Sequence, residues 1–132
     1  MSLVYLDSSA LVKLVVAEPE SLALADFLRG RSERVSSAVA LTEVPRALRR
    51  AGFGASERRR SREVMARVAL VDVDRRILAA AAAVEPPALR TLDAIHLATA
   101  LAVREDLASI VTYDTRLAAA AERVHLEVSV PR

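Results

Sequence analysis

The sequence predicts one α/β domain built on a parallel sheet, and three observations carry that expectation. Short apolar runs of strand type alternate with longer segments of helical periodicity along all 132 residues. The runs are apolar throughout instead of alternating with polar residues, as expected when helices cover both faces of a sheet. No internal repeat or linker divides the chain, and its length suits one core rather than two.

Taken in order, Leu3-Val4-Tyr5-Leu6 reads as the first strand, followed by helices over 8–16 and 21–29 that Glu18-Pro19 separates. Arg34-Val35-Ser36 is a brief second strand, and Ser37 is expected to cap a helix running to about Arg50. The turn residues "AGFGAS" break that helix, and another follows to about Val68. Leu70-Val71-Asp72-Val73 predicts a third strand, with Asp74 capping a helix through the alanine run until "EPP" stops it. A helix opening at Thr91 or Asp93 runs to about Arg104. Ser109-Ile110-Val111-Thr112 is the fourth strand, 115–122 a short helix, and 126–130 a last short strand.

Composition narrows the function. A chain 53% hydrophobic and 27% charged is globular rather than disordered, and no apolar run approaches the ~20 residues needed to span a bilayer. Asp7 interrupts the N-terminal apolar run too early for a signal peptide, so a cytoplasmic protein is expected. The absence of cysteine excludes disulfides, thiolate metal sites and a cysteine nucleophile. Net charge is only +2, but Lys13 is the sole lysine; the rest of the basic charge is arginine, suited to bidentate phosphate contacts. Arginine and alanine codons are equally enriched by a GC-rich genome. The four aromatics, Tyr5, Phe27, Phe53 and Tyr113, are too few for a base-stacking platform.

The acidic residues carry the chemistry. In open α/β sheets ligands bind beyond the carboxyl ends of the strands. Asp7 follows strand one and Asp114 follows strand four; Glu43 lies early in the helix after strand two, and Asp93 in the first turn of the helix before strand four. Each has an ordinary explanation on its own: Asp7 and Asp114 as helix caps, Glu43 as a surface carboxylate, Asp93 as a partner of its helix dipole. Gathered at one edge, four carboxylates would repel one another and favour a bound cation. Oxygen ligands without cysteine suit Mg²⁺ or Mn²⁺, and the matching chemistry is phosphodiester hydrolysis.

Four segments, "YLDSSALVKL", "SSAVALTEV", "TLDAIHLATAL" and "IVTYDTRLAAAA", occur in this order and at these spacings. Together they resemble the PIN-domain family, and in particular the VapC toxin ribonucleases of VapBC toxin–antitoxin pairs, over nearly the whole chain. The resemblance implies a single PIN domain over 1–132: a three-layer α/β/α sandwich with a short central parallel sheet. It implies a Mg²⁺- or Mn²⁺-dependent endoribonuclease leaving 5′-phosphate and 3′-hydroxyl ends. The acidic quartet carried over is Asp7, Glu43, Asp93 and Asp114, with Ser8 and Thr112 as supporting hydroxyls. A cognate VapB-type antitoxin, an RNA substrate and a homodimer are implied as partners.

Other polar residues rank lower. Arg46 and Arg50 fall three and seven residues after Glu43, on roughly its helix face, where they would hold RNA phosphates or form a solvated basic surface. His96, three residues after Asp93 in an apolar helix, is expected to be a partly buried structural histidine, and His125 incidental. A phosphatase using Asp7 would want an acid two positions later, where Ser9 stands. A non-catalytic protein-binding module remains the other reading, under which the acids would tolerate substitution.

Overall fold

A computed structural model describes residues 2–132, so Met1 of the expected domain lies outside the described residues. Five parallel strands, β1 (Leu3–Leu6), β2 (Arg34–Ser37), β3 (Ala69–Val71), β4 (Leu107–Val111) and β5 (Val128–Ser129), form one sheet in the order β3-β2-β1-β4-β5. The chain builds outward from β1 to β3, then crosses back to place β4 on the other side of β1. The order therefore reverses between β1 and β4, which puts the ligand crevice at the carboxyl ends of those two strands.

Among the described residues seven α-helices cover the sheet: α1 (Ser8–Val15), α2 (Ser21–Leu28), α3 (Ala40–Arg50), α4 (Ala55–Met65), α5 (Arg75–Ala82), α6 (Thr91–Ala102) and α7 (Thr115–Arg123). Side chains of a strand alternate between faces, and β1 shows the consequence. Val4 and Leu6 pack into one core with Leu11, Leu24, Val44, Leu48 and Met65 of α1–α4. Tyr5 points the other way, into a core with Leu97, Ile110, Leu117 and Ala121. Seven consecutive residues of α6, Ala94–Ala100, are buried, because α5, α7 and β2 enclose the helix instead of leaving it a wet face.

The expected element order holds, and the differences lie at element ends. Ser37 ends β2 and caps nothing: its hydroxyl accepts from Val39 N (3.2 Å), and α3 starts only at Ala40 after a short turn. The third strand stops at Val71, short of Asp72 and Val73, and α4 ends at Met65 rather than Val68. Asp74 does cap α5, accepting from Ile77 N at 2.9 Å. No helix among the described residues is long and apolar enough to cross a membrane.

Candidate functional site

Asp7 is both a helix cap and a buried acid. Parallel pairing sets Leu6 against Val111, so the next residues of the two strands, Asp7 and Thr112, emerge side by side. Thr112 Oγ1 donates to Asp7 Oδ2 at 2.6 Å. Asp7 Oδ1 accepts from Ala10 N (3.0 Å), the helix-cap bond, and from Ser9 Oγ (2.6 Å). With 3% of its surface exposed, Asp7 has its pKa pushed above the usual carboxylate range by burial, which outweighs the bonds from Ser9 and Thr112. Ser9 also accepts from Tyr113 N (3.0 Å), stitching the β1 and β4 ends together. In the sequence Ser9 argues against a phosphatase and otherwise reads as part of a helix start. A hydroxyl two residues after a capping aspartate was the available signal.

Asp114 caps α7, its Oδ1 accepting from Arg116 N (2.9 Å) and Leu117 N (3.1 Å). Its Oδ2 accepts from Arg90 Nη2 at 3.2 Å. The same guanidinium reaches Asp93, with Nε 3.4 Å from Oδ2. That Asp93 oxygen is buried and accepts no hydrogen bond. Burial raises the Asp93 pKa, the charge of Asp114 adds to it, Arg90 opposes it, and Asp7 adds a smaller push. Asp93 therefore feels Asp114 and, more weakly, Asp7, and Arg90 is the counter-charge of Asp93 and Asp114. Arg90 was missed in the sequence, where it reads as one more arginine before a helix.

Glu43 is held differently, by side chains alone. Its Oε1 accepts from Ser8 Oγ (2.6 Å) and pairs with His96 Nε2 (2.7 Å), while Oε2 takes part in neither bond. Burial works to raise the Glu43 pKa, but the bonds from His96 and Ser8 overcome it and leave the carboxyl below its ordinary value. Ser8 thus serves Glu43, and Ser9 serves Asp7. His96 departs from expectation: it is 1% exposed, fully rather than partly buried, and its ring ends on a site carboxylate. A groove of about 500 Å³ leads from Ser8 and Glu43 past Val12 and Leu92 to the exposed Arg46 and Arg50.

A model of the PIN domain matches residues 4–123 of the chain. The chain belongs to the PIN-domain family. Ribonuclease VapC46 of Mycobacterium tuberculosis is 50% identical over 131 residues, covering 99% of both chains. Two solved structures share the fold at low identity. VapC20 of Mycobacterium tuberculosis, described as a Sarcin-Ricin loop cleaving toxin, superposes with a TM-score of 0.69 at 15% identity over 89% of this chain and 94% of that one. VapBC2 of Rickettsia felis, bound to a DNA fragment from its promoter, gives 0.72 at 12% identity over 98% and 99%.

In this PIN domain no group of three or more His, Asp or Glu side chains lies close enough to hold one ion among the described residues. Asp7 accepts from Ser9, Ala10 and Thr112, and Asp114 from two α7 amides and Arg90. The donor chemistry nevertheless fits a hard divalent cation. The candidate ligands are oxygens, and the buried Oδ2 of Asp93 has no hydrogen-bond donor, only an exposed guanidinium beside it. A buried carboxylate oxygen without a hydrogen-bond donor is costly, and a cation would satisfy it.

Proposed function

We propose that this chain is a Mg²⁺- or Mn²⁺-dependent endoribonuclease, the toxin of a pair whose other member is a VapB-type antitoxin, acting in the cytoplasm as a homodimer. The observation that carries the reading is a buried Asp93 oxygen with no hydrogen-bond donor, in the field of Asp114 and Asp7 beyond the strand-order reversal between β1 and β4. Full-length identity to a protein named ribonuclease supports the reaction class.

Asp7, Asp93 and Asp114, with the free Oε2 of Glu43, are the residues that would hold the metal. When bound, a divalent ion supplies Lewis-acid activation of water and charge stabilisation at phosphorus. The chain's own residues do the rest. Thr112 and Ser9 lock Asp7 at the strand end, and Ser8 orients Glu43. Arg46 and Arg50, along the groove beside Glu43, are placed to hold backbone phosphates of an RNA strand. Arg90 offsets the charge of Asp93 and Asp114.

The test is cleavage of a fluorescent RNA by purified protein with Mn²⁺ or Mg²⁺, with EDTA, and with Asp93→Asn. Cleavage is expected only for wild type with metal. Equal cleavage by the variant, or cleavage unaffected by EDTA, sinks the proposal.

A further inference from the structure

We propose that His96 is a positioning residue for Glu43, and that Glu43 and Tyr5, on opposite ring nitrogens, together fix the tautomer in which it acts. The inference rests on the reading of Glu43 as part of the metal site, and it adds two residues that the acidic quartet does not include.

The geometry is a chain of three side chains from three elements. Tyr5 Oη on β1 lies 2.7 Å from His96 Nδ1 on α6, and His96 Nε2 lies 2.7 Å from Glu43 Oε1 on α3. Ring centroids of Tyr5 and His96 are 5.8 Å apart at 80°, edge to face. A neutral imidazole carries one N–H, and a carboxylate only accepts, so the proton belongs on Nε2. Nδ1 is then an acceptor, and the Tyr5 hydroxyl donates to it. Ser36 and Thr99 also lie near this hydroxyl, and the ring is its partner at 2.7 Å.

The consequence falls on Glu43. Its side chain is long, starts from a helix at the crevice edge, and would otherwise sample several rotamers. Donors from α1 (Ser8) and α6 (His96) converge on Oε1 and leave Oε2 free. A histidine needed only to fill the core would not have to end on an acid facing the crevice. Partners that orient a metal-binding side chain typically matter by 10–100-fold in metal affinity or activity.

Three readouts test this. In ¹⁵N-labelled wild type without metal, long-range ring spectra should show His96 as the Nε2–H tautomer, and Tyr5→Phe should lose that single pattern. By calorimetry, His96→Leu should bind Mn²⁺ roughly tenfold or more weakly. His96→Gln, whose amide can donate from nearly the Nε2 position, should recover most of that loss. An Nδ1–H tautomer in wild type, or unchanged Mn²⁺ affinity in a folded His96→Leu, overturns the proposal. If His96→Leu does not fold, Tyr5→Phe decides instead: unchanged tautomer and affinity overturn it. Failure of the wild type to bind Mn²⁺ or cut RNA would sink the functional reading, while the tautomer spectra would still decide whether Tyr5 and His96 are coupled as described.

Discussion

Asp7 and Glu43 both lie beyond the strand ends near His96, yet they are held in opposite ways. Asp7 is fixed by the backbone: it caps α1, its carboxylate is buried, and hydroxyls from both strand ends complete its coordination. Glu43 is fixed by two side chains reaching from α1 and α6, with one carboxylate oxygen left over. The buried aspartate has a raised pKa and the netted glutamate a lowered one. The two acids therefore differ in what substitution should do. Burial disfavours the charge on Asp7, so removing it is expected to help the fold. Glu43 carries a satisfied charge that the fold already accommodates.

The largest expected effect breaks the comparison at Asp7. Asparagine caps helices about as well as aspartate, so Asp7→Asn keeps the α1 bond while deleting the buried charge. RNA cleavage should fall by more than about a hundredfold, since losing a ligand exceeds losing a residue that orients one. Without metal, the variant should melt at or above the wild-type temperature. The sign follows from linkage. A carboxyl whose folded pKa is raised stabilises the fold at low pH, and that stability is lost as pH rises through the raised pKa. The melting advantage of Asp7→Asn over wild type should therefore grow from acid to neutral pH in EDTA. Adding Mn²⁺ should raise the wild-type melting temperature and leave the variant unmoved. A melting difference that does not change with pH, or full cleavage by Asp7→Asn, would contradict the assignment.

A smaller effect sharpens the Glu43 side, where the groove continues to Arg46 and Arg50. Each phosphate contact on a single strand adds about 0.7 to the slope of log affinity against log salt, so Arg46→Ala with Arg50→Ala should flatten it by roughly 1.4. Measured on the Asp93→Asn background, with RNA intact, the loss should be similar for unrelated sequences. An unchanged slope would make these arginines a solvated basic face.

How much of this was legible follows from the distances along the chain. The strand-then-acid pattern at Leu3–Asp7 and the cap at Asp74 are local, and local chemistry was enough to read them. The start of α3 was misread because Ser37 has a capping residue's chemistry but bonds Val39 instead, inside a turn set by β2 pairing. The decisive contacts are distant: Thr112 meets Asp7 across 105 positions, and His96 meets Glu43 across 53. Those depend on β4 lying beside β1 and on α6 covering the Tyr5 face, which no short window contains. Arg90 was invisible for the same reason, since half of its bonding goes to Asp114 in another element.

Arg90 gives the smallest effect and the finest discrimination. It joins Asp93 and Asp114 at 3.4 and 3.2 Å, but its side chain is 68% exposed, so water screens most of its attraction. Exposed ion pairs contribute about 0–1 kcal/mol, so Arg90→Gln should lower the metal-free melting temperature only slightly. The same cation opposes a divalent ion for the Asp93 oxygen. Removing it should tighten Mn²⁺ binding by about two- to threefold, the affinity equivalent of ~0.5 kcal/mol. Weaker Mn²⁺ binding in Arg90→Gln would mean that Arg90 holds the two aspartates in place for the metal and does not compete with it.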